Sequence, residues 1–172
     1  TDGIGLIRSF EEEGISLENK SVLVIGSGGA SRAILVSLVN SNVNITLTNR
    51  TEQKAIDLLS ELNLQDKVKI IDYNSESLKQ TLQSTDIIIN ATPLGMSPNE
   101  KVSPIPKELL KPNNIVFDLV YNPLKTQFIK DAEEIGCKTI SGVNMLVHQG
   151  AQSLRIWLGI EPPIEAMKDE VL

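Results

Sequence analysis

Val22-Leu23-Val24-Ile25-Gly26-Ser27-Gly28-Gly29-Ala30-Ser31-Arg32-Ala33 reads as a strand, a turn and the start of a helix. Four consecutive apolar residues, three of them β-branched, predict a strand buried on both faces, as in a parallel sheet. The glycines break that strand, and Ala33-Ile34-Leu35-Val36 opens a segment of helical length. Gly26 allows a tight turn. Gly28 lets a diphosphate approach the backbone, where the N–H groups of the helix's first turn and its dipole favour an anion. Ser27, Gly29 and Ala30 complete the loop, and Ser31 replaces the usual third glycine with a residue still small enough for close helix–strand packing. A plain βα turn would contain similar glycines. The strand–turn–helix context favours a dinucleotide site.

Outward from this centre the same rhythm repeats. Upstream, Leu6 to Glu13 predicts an amphipathic helix stopped by Gly14, with Leu6, Ile7 and Phe10 on one face and Glu11 to Glu13 as a solvated end. Asp2 reads as an N-cap for that helix. Downstream, strands are expected at 44–48, 68–71 and 86–90, with Thr51 capping a helix over 54–62 and Ser75 capping one that carries Leu78 and Leu82. Alternation of this kind specifies βαβ units and an α/β fold. The expectation is a doubly wound, mainly parallel six-stranded Rossmann-type sheet with helices on both faces and the Gly26 strand at its centre.

Prolines at 93, 98, 104, 106 and 112 interrupt the rhythm with a polar connection. Strands at 115–119 and 138–140 then flank a helix over 126–135. The final long helix is expected from Val143 to Gly159, with Val143, Leu146, Val147, Gly150, Leu154, Trp157 and Leu158 as its apolar stripe. Met145, Gln149 and Gln152 fall on a separate face that would look into a cleft or into solvent.

A chain of 172 residues with 41% apolar side chains can bury one substantial core. Its net charge of −6 argues against nucleic-acid or anionic-membrane partners, so any anion site must be local. The single Cys137 allows no internal disulfide and reads as a small buried residue, and His148 as structural. No apolar run approaches the roughly 20 residues of a membrane span, and no leader is read, so a cytoplasmic location is expected. The opening Thr1 suggests a piece of a longer protein.

The choice of dinucleotide is made at the end of the second strand, about 20 residues past the glycines, where an acid marks NAD. Asn49-Arg50-Thr51-Glu52-Gln53-Lys54 lacks that acid and offers a guanidinium instead. Arg50 suits stacking on adenine or pairing with a 2′-phosphate, and Thr51 can donate to the same group. Arg32 and Lys54 add charge nearby. The choice is NADP, with no metal.

These segments resemble the shikimate dehydrogenases and their quinate/shikimate relatives. The resemblance rests on Thr1-Asp2-Gly3, Gly26 to Ala33, Asn49-Arg50-Thr51 and Asn90-Ala91-Thr92-Pro93-Leu94-Gly95-Met96. Further along it rests on Asp118 to Pro123 with Thr126, and on Gly142 to Leu146 with Gln149 and Gly150. It covers the whole chain but only the cofactor-binding half of such an enzyme. It implies reversible NADP-linked conversion of shikimate and 3-dehydroshikimate, and it allows a homodimer of the full-length enzyme. Gly26 to Ala30 would hold the diphosphate, and Asn49 to Lys54 the ribose phosphate. Thr92, Leu119, Gly142, Met145 and Leu146 would line the nicotinamide end. Asp2, Tyr121 and Gln149 would meet substrate, with Asp2 catalytic.

Residues 1–172 are then expected to be one NADP-binding Rossmann domain, including an inter-domain helix at about 2–13 and C-terminal helices at about 143–172. No segment matches the family's N-terminal substrate domain or the lysine that partners its aspartate. A quinate/shikimate fragment with broader substrate or cofactor use and a non-catalytic NADP-binding module remain the alternatives.

Overall fold

Six parallel strands lie in the order β3-β2-β1-β4-β5-β6 in the computed structural model, which describes residues 1–74 and 76–171. They are β1 (Ser21–Ile25), β2 (Asn44–Asn49), β3 (Val68–Asp72), β4 (Ile87–Asn90), β5 (Ile115–Asp118) and β6 (Lys138–Ser141). Around them run α1 (Asp2–Glu12), α2 (Gly29–Leu38), α3 (Glu52–Leu62), α4 (Glu76–Ser84), α5 (Gln127–Ile135), α6 (Gly142–Leu158) and α7 (Ile164–Asp169). A short 3-10 turn at Lys107–Leu109 follows Pro106. The strand order reverses at β1, with Val22 opposite Ile45 on one side and Ile87 on the other. The doubly wound sheet is the one expected, with the glycine strand central.

The apolar run of β1 serves two cores because successive side chains point to opposite faces. Val22 and Val24 join Leu6, Phe10, Ile34, Leu35, Leu47, Ile89, Phe117 and Ile140 on one face. Leu23 and Ile25 join Ile71, Leu82, Ile88, Val116 and Phe128 on the other. An alternating apolar–polar strand could fill only one of these. Phe10 reaches from α1 to meet Phe117 of β5 edge to face, with ring centroids 5.3 Å apart. Cys137 is buried just before β6, and burial pushes its thiol pKa up.

α1 and α6 lie close together because Gly5 permits it. A Cβ on Gly5 would stand 2.8 Å from the Met145 carbonyl oxygen and 3.1 Å from Cβ of Gln149. The acidic end of α1 is not merely solvated, as had been expected. Glu12 accepts from Asn144 Nδ2 at 3.2 Å, lies 3.2 Å from His148 Nε2 and pairs with Lys168 of α7. Burial alone would raise the Glu12 pKa, but hydrogen bonds from Lys168 and His148 outweigh it and hold the carboxyl below its ordinary value. One carboxylate thereby ties α1 to the two helices at the other end of the sequence.

Two other expectations need correction. Thr1 stands at the N-cap of α1, which leaves Asp2 as the first helical residue. The stripe on α6 ends early: Val143 and Val147 are buried, but Trp157 is 76% exposed and Leu158 62%. Met145, placed on a face with Gln149 by its spacing, lines a depression with it while packing on the core. The expected cap at Ser75 lies outside the described residues. Among the described residues, no helix is long and apolar enough to cross a membrane.

Candidate cofactor-binding site

The turn after β1 is built by two glycines acting differently. Gly26 has φ +107, and a Cβ there would lie 2.8 Å from the Thr92 methyl and 2.9 Å from the Ala91 carbonyl oxygen. It is required by the fold. Gly28 is the N-cap of α2 with extended backbone, φ −88, and a Cβ added there or at Gly29 would meet nothing within 4 Å. No side chain caps α2, so the first-turn N–H groups face open space at the positive end of the helix dipole. Ser31 is fully buried, and its hydroxyl donates to the Gly26 carbonyl at 2.8 Å, closing the turn from below. This is an anion cradle in shape and polarity, and a dinucleotide diphosphate fits its donor set.

β2 delivers Asn49 and Arg50 to the same end of the sheet. Asn49 donates to the Thr51 carbonyl at 2.8 Å, fixing the bend. Thr51 is the N-cap of α3, but its hydroxyl makes no capping bond and is left exposed. Arg50 and Lys54 are exposed and form no ion pair among the described residues, whereas Arg32 pairs with Glu61 of α3. The local positive charge expected from three side chains is therefore carried by two. Beside Arg50 lies a cavity of about 180 Å³, lined by Ile25, Asn49, Arg50, Tyr73, Thr92, Pro93 and Leu94. The residues come from the ends of four adjacent strands, the place where open α/β sheets bind ligands. Tyr73, Pro93 and Leu94 were given no site role from the sequence.

A second, shallower depression of about 260 Å³ is lined by Asp2, Tyr121, Gly142, Met145, Leu146 and Gln149. Three of the residues expected at the nicotinamide end thus join the three expected to meet substrate. Thr92 lines the cavity beside Arg50 instead. Leu119 lines neither, its carbonyl lying against Gly142. Gln149 is oriented by Thr1, whose hydroxyl donates to its Oε1 at 3.2 Å, while its Nε2 donates to the Leu146 carbonyl at 3.0 Å. Tyr121 is half exposed.

Between the two hollows sits a buried polar network to which the sequence reading gave no role. Register pairs Asn90 with Asp118 across β4 and β5. Asp118 accepts from Asn90 Nδ2 at 2.8 Å, from Val120 N at 3.1 Å and from the Thr126 hydroxyl at 2.5 Å. Asn90 Oδ1 in turn accepts from Thr92 N and from its hydroxyl, at 3.1 and 2.6 Å. The network fixes the loops after β4 and β5 that border both hollows.

Burial pushes the Asp118 pKa up, against the three donors that pull it down. Asp118→Asn turns an N–H toward the Thr126 hydroxyl, so an unfolding free energy lower by about 1–3 kcal/mol is expected at neutral pH. A raised folded pKa means that the native state keeps the proton longer than the unfolded chain. The stability linked to Asp118 is therefore full below the ordinary carboxylate pKa and falls as pH rises through the folded value. The deficit of the Asn variant should accordingly narrow from acid to neutral pH in urea titrations. A deficit that widens would contradict this assignment.

The shikimate/quinate 5-dehydrogenase family model matches residues 8–123, and the model for the shikimate 5′-dehydrogenase C-terminal domain matches residues 142–172. The chain is 46% identical over 173 residues to shikimate dehydrogenase (NADP(+)) of Methanococcus maripaludis, a match covering 100% of this chain and 62% of that protein. It superimposes with a TM-score of 0.91 and 33% identity on shikimate 5-dehydrogenase from Listeria monocytogenes, solved in complex with shikimate and NAD. That match covers 99% of this chain and 62% of the other. For the Thermus thermophilus enzyme, solved in complex with NADP(H) and shikimate, the TM-score is 0.84 at 30% identity, covering 99% of this chain and 60% of that one. The chain spans about 62% of the length of the curated relatives it matches.

Proposed function

The chain belongs to the shikimate/quinate 5-dehydrogenase family, and on that premise we propose that it is the NADP-binding domain of a shikimate dehydrogenase. The observation that carries the reading is the meeting, at the ends of β1 and β2, of an open glycine turn and an exposed arginine that forms no ion pair among the described residues. The N–H groups of the Gly26–Ala30 turn hold the diphosphate. Arg50, Thr51 and Lys54 hold the 2′-phosphate, and Asn49 shapes their loop. Bound there, NADP would supply the hydride acceptor for shikimate, and its reduced form the hydride donor for 3-dehydroshikimate. Met145, Leu146 and Gly142 form an apolar seat for the nicotinamide. Asp2, Tyr121 and Gln149 meet the substrate ring, Asp2 holding its hydroxyl where a proton leaves. α1 and the end of α6 join this domain to a substrate-binding domain.

Relatives of this fold are solved with NAD as well as with NADP(H), so the discrimination has to be made by side chains rather than by the sheet. Arg50→Ala tests this. Losing a charge-assisted phosphate contact of about 1.5–3 kcal/mol lowers NADPH affinity roughly ten- to over a hundredfold. NADH affinity should change much less. Equal losses for both cofactors in calorimetry would mean that Arg50 does not read the phosphate.

A further inference from the structure

Tyr73 is the residue of the Arg50 cavity that the sequence does not mark. It follows β3 directly, two positions beyond buried Ile71 and therefore on the same side of the strand. Its ring packs on the core below, next to Ile71 and Leu78 in the cluster, and its hydroxyl donates to the Pro104 carbonyl at 2.6 Å. The side chain is pinned at both ends, by the strand at its base and by the proline-rich connection at its tip. Burial raises the phenol's pKa, while the charge of Arg50 pulls it down, so guanidinium and phenol are within electrostatic reach.

Tyr73 is also a partition. On one side lies the cavity of about 180 Å³ shared with Ile25, Asn49, Arg50, Thr92, Pro93 and Leu94. On the other lies a groove of about 540 Å³ between α4, the proline-rich connection and α5, which carries Lys79, Lys101 and Lys107. Among the described residues Tyr73 alone lines both. The smaller space is bounded by one planar cation, one aromatic ring, the apolar Ile25, Pro93 and Leu94, and the polar Asn49 and Thr92. A planar cation and an aromatic ring suit a flat, electron-rich heterocycle.

We propose that Tyr73 binds the adenine ring of the dinucleotide, forming with Arg50 the walls of the adenosine subsite and closing it off from the outer groove. This rests on the NADP-binding reading above and adds a residue to it. Losing the ring removes the stacking surface and opens the subsite to the groove. Base–aromatic stacking of ordinary strength predicts an affinity loss of about five- to a hundredfold.

The test is calorimetry with 2′,5′-ADP, which carries the adenosine half alone, on the wild-type chain and on Tyr73→Phe, Tyr73→Leu and Tyr73→Ala. The phenylalanine variant keeps the stacking face and should bind within about threefold of wild type. The leucine and alanine variants should lose about five- to a hundredfold. Tyr73→Leu retains apolar packing on the core, so the comparison stands even if the alanine variant does not fold. Wild-type affinity in a folded leucine variant would overturn the role of Tyr73 while leaving the NADP reading intact. Failure of the wild-type chain to bind 2′,5′-ADP would overturn that reading and this one with it.

Discussion

Gly28→Asp should abolish measurable NADPH binding while leaving the fold as stable as before, or slightly more so. The two effects have opposite signs because Gly28 has opposite relations to the fold and to the ligand. Its backbone is extended, and a Cβ there would meet nothing within 4 Å, so a side chain costs the free protein no strain. As N-cap of α2 it contributes no side-chain acceptor. An aspartate would supply one and gain a few tenths of a kcal/mol. The same carboxylate would stand where the diphosphate has to approach. Like charges brought together in such a place cost several kcal/mol, which is more than a hundredfold in affinity. Gly26→Asp at the other glycine would instead meet the Ala91 carbonyl in a left-handed backbone and damage the fold itself. Thermal unfolding alongside NADPH titration separates the cases. Retained binding by the Gly28 variant would place the diphosphate elsewhere.

The contrast between these glycines shows how far the sequence could be read. Both belong to one legible pattern, since an apolar run followed by glycines has few other meanings in an α/β chain. The sheet was legible for the same reason: its strands are short apolar-rich runs, and all neighbours in sequence except β4 and β5 are separated by helix-length polar–apolar periodicity. Arg50 was legible because its position is fixed by the strand before it. Tyr73 was not, because its role arises only when the end of β3 comes to lie beside the end of β2. Asp118 and Asn90 meet only through the β4–β5 register. Glu12 looked like one of three equivalent acids until α6 and α7 packed beside it. Periodicity likewise gave α6 an apolar stripe without showing which of its turns the rest of the fold covers, and Trp157 and Leu158 emerge into solvent. Local pattern encodes elements and turns; contacts across elements need the fold.

Residues 1–172, purified as such, should bind NADPH and yet fail to oxidise shikimate at a rate typical of an enzyme. Binding needs the Gly26–Ala30 turn and the Arg50 loop, and both sit on one continuous sheet with its cores filled on either face. Catalysis needs more than the Asp2 depression offers. That depression is shallow, and its lining of Asp2, Tyr121, Gly142, Met145, Leu146 and Gln149 includes no lysine or arginine. His148 is no substitute, because its ring is engaged with Glu12. Asp2 alone, as a carboxylate, repels the oxyanion character that develops as the hydroxyl gives up its proton. A missing general acid–base costs about 10²–10⁴ in rate. An open surface that does not fix the ring over the nicotinamide forfeits positioning that can be worth about 7–11 kcal/mol. The second loss is the larger, so a lysine grafted beside Asp2 should not rescue turnover. The missing walls should come from the portion of the longer relatives that this chain does not span. Supplying that domain in trans should restore some activity if it can dock on α1 near Asp2. The measurement is NADP reduction at saturating shikimate, with and without the added domain. Ordinary enzymatic turnover by residues 1–172 alone would mean that a complete site lies within them, and the division of labour argued here would be wrong.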